Sequence, residues 1–204
     1  MASFRLPGPV CKFLGAYGID LGTLCRSASP VPGSTVIEHR PAIFMAEPFP
    51  VSLIDYSGAC EWDSGEVACT KYIQQTCAIM GISDDAAVKR WVAGYLTLGA
   101  RESSLNAPMW QINLNDRNAW GPPIANDSAC PGAPFHCSRG WTQTTPETFA
   151  TYHQSGTSHM IYDPVANCGA SMNYVMDVYN VLKDGSNLAS NVQQADPSRN
   201  PRGY

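Results

Sequence analysis

Ser83-Asp84-Asp85-Ala86-Ala87-Val88-Lys89-Arg90-Trp91-Val92-Ala93-Gly94-Tyr95-Leu96-Thr97-Leu98-Gly99-Ala100-Arg101-Glu102-Ser103-Ser104 is the stretch that decides the fold. Ala87, Val88, Trp91, Val92, Tyr95, Leu96 and Leu98 recur at helical spacing and predict one buried face. Ser83 is an N-cap residue, and Asp84 and Asp85 fall in the positively polarised first turn. The helix so predicted runs directly into Glu102 and places a carboxyl group at its inner end. A carboxyl desolvated on its helix side and open on the other can hold a proton near neutral pH and deliver it to a leaving oxygen.

The flanks extend the same pattern. Asp63 with Glu66 three residues later resembles a capping box. The helix it would open carries Val67, Cys69, Tyr72, Ile73, Thr76, Cys77 and Met80 and stops at Gly81. Residues 105–145 are dense in Pro, Asn and Gly and predict mostly loop. Thr145-Pro146-Glu147 opens a short helix with proline at its first position. Asp163-Pro164 opens another, bearing Val165, Cys168, Met172, Tyr174, Val175 and Val178 and ending near Lys183-Asp184-Gly185. Asn187 to Tyr204 has room for one more short helical turn. The expected class is mainly α, with long loops between helices. Residues 1–52 are Pro/Gly-rich, with a breaker cluster at Pro30-Val31-Pro32-Gly33-Ser34 and short extended candidates at Val36-Ile37 and Ala42-Ile43-Phe44-Met45. They read as an irregular arm, and residues 53–204 as the folded domain.

Composition narrows the function classes. A chain of 204 residues with 44% hydrophobic residues can bury a full core. A formal net charge of −4 and the lack of a basic stripe argue against nucleic acid as a partner. No stretch approaches the apolar length of a membrane span. Met1 to Val10 carries Arg5, but Pro7, Gly8 and Pro9 break any apolar run after it, which makes a poor signal peptide. The expectation is a lost leader or another route out of the cell. Eight cysteines, at 11, 25, 60, 69, 77, 130, 137 and 168, form no C-x-x-C pair and suggest disulfides in an oxidising compartment. Cys130 and Cys137 flank a turn-rich segment and are the favoured pair. Cys11 and Cys25 would tie down the arm. Cys69 and Cys77 would lie roughly 12 Å apart on a straight helix, beyond disulfide reach, so each should pair elsewhere. The alternative is free buried thiols.

Three segments now stand in order: Glu102-Ser103-Ser104 closing a helix, Gly140-Trp141-Thr142-Gln143, and Ile161-Tyr162-Asp163-Pro164-Val165-Ala166-Asn167 opening a helix that carries Tyr174. This order resembles the soluble lytic transglycosylases of the goose-type lysozyme clan, closest to domains of actinobacterial secreted proteins and of the tail proteins of their phages. The resemblance covers roughly residues 60–204. It implies a lysozyme-like α fold and cleavage of the β-1,4 bond from N-acetylmuramic acid to N-acetylglucosamine in peptidoglycan strands. It also implies an extracellular, cell-envelope or virion-tail location; residues 1–52 would then pack on the domain, serve as a linker, or meet a tail or envelope partner. By the same resemblance Glu102 is the acid/base, Ser103 orients it or the substrate, Gln143 bonds a sugar or its N-acetyl group, and Tyr174 reaches toward Glu102. Tyr162 is a further substrate-binding candidate.

Departures from the family pattern matter too. Trp141 and Thr142 stand where Leu and Met are usual, so the cleft is expected to differ in shape. A late Ala-Tyr-Asn segment is missing. The cysteine-flanked insert before Gly140 is additional and is expected to cap or narrow one end of the cleft.

Two further readings stay open. Asp116, in the amide-rich run Ile112-Asn113-Leu114-Asn115-Asp116-Arg117-Asn118, is either a turn former or the second carboxylate of an inverting hydrolase. The fold could also serve as a non-catalytic module that binds the wall. Trp110 and Trp120 are candidates either for sugar stacking or for core. His136, His153 and His159 lack metal-ligand spacing with carboxylates, so no metal and no cofactor is expected.

Overall fold

The computed structural model describes residues 46–204. The expected extended segments near Val36 and Ala42, and Cys11 and Cys25, lie outside them. Among the described residues are five α-helices: α1 (Glu66–Ile79), α2 (Asp85–Ser103), α3 (Pro146–Thr151), α4 (Pro164–Val178) and α5 (Leu188–Asn191). Two-residue strands β1 (Pro123–Ile124) and β2 (Ala133–Pro134) pair antiparallel within the long loop before α3. The mainly α expectation holds. No helix among the described residues is long and apolar enough to cross a membrane.

The caps explain most of the boundaries. Asp84, not Ser83, is the N-cap of α2 and accepts from the Ala87 amide at 2.8 Å. Thr145 caps α3 and Asp163 caps α4, each with proline in the first turn, as the sequence predicts. The Asp63–Glu66 capping box does not form. Gly65, at φ 92°, is the N-cap of α1 with no side-chain hydrogen bond. The Asp63 carbonyl instead accepts from the Tyr72 hydroxyl and the Asn106 amide, 3.1 and 2.9 Å away. Helix α4 ends at Val178, earlier than expected, because Asn180 turns left-handed at φ 53° and gives its carbonyl to the Asn187 amide.

Two cores form. The larger lies where α1 packs on both α2 and α4, and holds Ile73, Trp91, Tyr95, Leu98, Trp141, Met172 and Val175. Gly99 lets α2 lie flush on Trp141; a Cβ there would stand 2.5 Å from the indole. The smaller core joins Ile54, Tyr56, Phe149, Ile161, Tyr162 and Ala170, with Phe49 and Val51 packed against it. Residues 46–52, assigned to the arm from composition, therefore belong with the helical domain: the Glu47 and Phe49 amides bond the carbonyls of His153 and Ala150.

Among the described residues the expected disulfides, Cys130–Cys137 included, are absent. Cys60, Cys69, Cys77, Cys130, Cys137 and Cys168 are free thiols. Cys69, Cys77 and Cys168 fill the larger core as small apolar groups. Burial pushes Cys69 and Cys77 up to about 12 and Cys168 well above a thiol's usual value, so they stay protonated. The Cys130–Cys137 segment is closed by other means. The Ala133 amide bonds the Cys130 carbonyl, the Cys137 amide bonds the Pro134 carbonyl, and the Arg139 guanidinium donates to the carbonyls of Pro134, Phe135 and Cys137.

Candidate functional site

Helix α2 delivers Glu102 to its last turn, and the left-handed Ser104, at φ 52°, ends the helix there. Ser103 points inward. It is 1% exposed, donates to the Trp141 carbonyl at 2.7 Å and accepts from the Asn106 amide at 3.0 Å. Its hydroxyl thus ties the end of α2 to the segment that carries Gln143.

That segment is a tight loop. Arg139 and Thr144 exchange backbone hydrogen bonds of 2.9 and 3.0 Å, Gly140 turns at φ 73° and Gln143 at φ 54°. A Cβ at Gly140 would fall 2.5 Å from the Asn167 side chain, so glycine is needed for this approach as well as for the turn. Asn167, fully buried on α4, holds the loop from below. Its amide nitrogen donates to the carbonyls of Arg139 and Ile161 and to the Thr144 hydroxyl. Its amide oxygen accepts from the Thr142 amide and hydroxyl.

Glu102, Asp116, Asn118, Ser138, Gln143, Thr144, Thr145, Thr148, Tyr174, Gly203 and Tyr204 line one cleft of about 250 Å³. Four of the sequence-predicted residues meet there: Glu102, Asp116, Gln143 and Tyr174. Ser103 and Tyr162 do not line it. Tyr162, 1% exposed, donates to Asp127 Oδ1 at 2.8 Å within the smaller core.

The carboxyl of Glu102 is held toward its neutral form. Burial raises its pKa; a 2.6 Å hydrogen bond from Gln194 Nε2 to Oε1 opposes this, and the charge of Asp116 adds to the rise. Asp116 itself forms a turn, accepting from the Asn118 amide at 3.3 Å. Gln143 spends its amide nitrogen on the carbonyls of Gly140 and Trp110, 2.7 and 3.0 Å away. Tyr174 packs edge-on against Tyr152 and Tyr179, and burial lifts its hydroxyl to about 12.

Two lining or supporting residues escape a reading of the sequence. Tyr204 ends a polar, proline-containing run, yet its hydroxyl is enclosed: it donates to the Thr142 carbonyl at 2.6 Å and pairs with Ser171 Oγ at 2.7 Å. Ser171 in turn meets the Tyr95 hydroxyl at 2.9 Å. Burial, and then the nearby Glu102 charge, push the Tyr204 hydroxyl well above its usual value. Gln194 bridges Glu102 and the Arg202 amide, which bonds its Oε1 at 2.9 Å. The faint signal for both is the apolar pair Val192 and Ala195 among polar neighbours, which docks this segment on α2.

Among the described residues no group of three or more His, Cys, Asp and Glu could hold a metal ion. Trp141, expected to reshape the cleft, is fully buried and donates to the Pro164 carbonyl at 2.8 Å, so it shapes the core instead. Compared with known proteins, the chain matches no family model, no curated protein and no solved structure.

Proposed function

We propose that this cleft cleaves glycan strands of peptidoglycan at the N-acetylmuramoyl-β-1,4-N-acetylglucosamine bond, with Glu102 as acid and then base of a lytic transglycosylase reaction in a lysozyme-like domain. One observation carries the reading. A carboxyl whose burial favours its protonated form stands in a cleft otherwise lined mainly by amides, hydroxyls and tyrosines. Such a lining suits a neutral, hydroxyl-rich and acetamide-rich ligand, which a net charge of −4 would not recruit by attraction.

Protonated Glu102 gives its proton to the glycosidic oxygen as the bond from muramoyl C1 breaks, and the N-acetylglucosamine unit leaves with a free 4-hydroxyl. The Glu102 carboxylate then takes the proton of the muramoyl C6 hydroxyl while O6 bonds to C1. The product is a 1,6-anhydro end, and the carboxyl returns to its acid form. Gln194 Nε2 stabilises the carboxylate between the two steps. Gln143 Oε1 is the acceptor offered to an acetamide N–H, because the amide nitrogen is already engaged.

Asp116 favours a second reading. It lines the same cleft and its charge is felt at Glu102, which supports a water-activating role in an inverting hydrolysis. Mass analysis of digested peptidoglycan separates the two. Anhydro ends, lighter by one water than reducing ends, are expected, and Asp116→Asn should then leave most of the rate. Reducing ends together with a dead Asp116→Asn variant would replace the transglycosylase by the hydrolase. Glu102→Gln is expected to lose about 10²–10⁴-fold in rate. Full activity in that variant removes Glu102 from the mechanism. A native protein that binds wall but releases no product is a recognition module.

A further inference from the structure

Trp120 is 60% exposed, yet it is not a loose surface residue. Its indole lies against the His136 imidazole, with ring centroids 3.8 Å apart and planes 31° apart. His136 is gripped on its other sides: Nδ1 pairs with the Glu147 carboxylate, and Phe135 meets the ring edge-on at 5.0 Å. The His136 amide donates to the Trp120 carbonyl at 3.0 Å, which fixes the two backbones together. An exposed indole backed by an imidazole that a carboxylate holds in place has one face fixed and the other turned to solvent.

Each part of this stack is close in sequence to the cleft lining. The Trp120 amide donates to the Asn118 carbonyl at 2.8 Å, and Asn118 lines the cleft, as does Asp116. His136 is two residues from Ser138, and Glu147 lies between Thr145 and Thr148; Ser138, Thr145 and Thr148 are all part of the lining. Three separate lining segments thus converge on the support of one indole. The loop that supplies Trp120 and His136 carries β1 and β2 and contains the segment flanked by Cys130 and Cys137, which departs from the lytic transglycosylase pattern.

We propose that Trp120, held by His136 and Glu147, is an accessory sugar-stacking platform that extends the cleft by at least one residue of a β-1,4-linked N-acetylhexosamine strand. The proposal rests on the glycan reading of the cleft. The apolar face of a pyranose ring packs on an indole, and a ring already immobilised loses little freedom on contact. A longer strand therefore gains affinity that a short one, confined to the cleft, does not.

The test is binding by the full chain carrying Glu102→Gln, which prevents turnover, to tri- and hexasaccharides of β-1,4-linked N-acetylglucosamine. Trp120→Ala is expected to weaken the hexasaccharide about tenfold and leave the trisaccharide unchanged. Trp120→Phe should recover most of the loss. Unchanged trisaccharide affinity also shows that the variant is folded. A hexasaccharide affinity indifferent to Trp120→Ala overturns the platform alone. Equal loss of both saccharides does so too, since the effect is then on the cleft as a whole. A parent that binds neither saccharide overturns the platform together with the glycan reading. If Trp120-dependent binding is found and native protein cleaves no wall, the platform stands and the catalytic reading falls.

Discussion

Glu102 carries its own pH signature. Its folded pKa lies above the ordinary carboxylate value, so the folded state holds the proton more tightly than the unfolded chain does. The stability this confers is full below the unfolded pKa and is lost as pH rises through the folded one. Glu102→Gln cannot ionise and escapes that loss, while its amide oxygen can still accept from Gln194. The variant should therefore melt above the parent at about pH 8, and the gap should close toward about pH 4, as thermal scans across that range would show. A constant gap would mean that Glu102 titrates alike in both states. Activity should obey the same group. As the acid of the first step it must be protonated, so the basic limb of the pH–rate profile should lie above the ordinary Glu range. Glu102 is legible in the sequence because a helix ends on it. Its partner Gln194 is not, because a hydrogen bond across 92 positions leaves no local pattern. Ser103 shows the converse: its place beside Glu102 suggests substrate contact, but helical periodicity turns its hydroxyl inward to the Trp141 carbonyl.

Among the elements, α4 is the most legible at its start. Asp163 Oδ1 accepts from the amides of Val165 and Ala166 at 2.9 and 3.3 Å, and Oδ2 takes the Ser158 hydroxyl at 2.8 Å. These bonds set the first turn of the helix that carries Asn167, which in turn holds the Gln143 loop. Asp163→Ala is expected to cost about 1 kcal/mol in denaturant unfolding, and to raise KM more than it lowers kcat because the Gln143 loop loosens. A fall in kcat at constant KM would contradict this link. Caps of this kind are visible in sequence because donor and acceptor lie within three residues. The start of α1 is hidden for the opposite reason. Its first turn is set by Gly65, whose amide bonds the carbonyl of Leu105, a residue distant in sequence. The long segment before α3 is likewise legible only as loop, since β1 and β2 are two residues each and have no periodicity to detect.

At the scale of the whole molecule, the buried pair Arg139–Asp127 is hidden from sequence. Both side chains are fully buried, with Nε to Oδ2 at 2.7 Å, and the Tyr162 hydroxyl completes the carboxylate. Arg139 stands between Ser138, which lines the cleft, and the Gly140 turn, while its guanidinium gathers the insert. Arg139→Ala leaves Asp127 buried without its cation and should cost about 3–5 kcal/mol, measured by chemical denaturation. Asp127 and Arg139 are twelve positions apart in a loop, a spacing with no secondary-structure meaning. The cysteines mislead for a related reason. Even number and loop position suggest cross-links, whereas the chain reaches its packing with thiols used as apolar filler in the larger core and with an arginine clasp in the insert. The order of the helices and the nucleus of the cleft are legible in the chain; the groups that close the cleft are not.

The cleft takes one wall from each of the two cores. Glu102 and Tyr174 stand on helices of the larger core, while Thr145 and Thr148 belong to the turn and helix that carry Phe149 into the smaller one. Asn167, whose single side chain spans the Arg139, Thr142, Thr144 and Ile161 positions, sits at the seam. The gap between acid and opposing wall is thus gauged by one amide group remote from solvent. Wear at that rivet would change the bite of the jaws without touching either tooth.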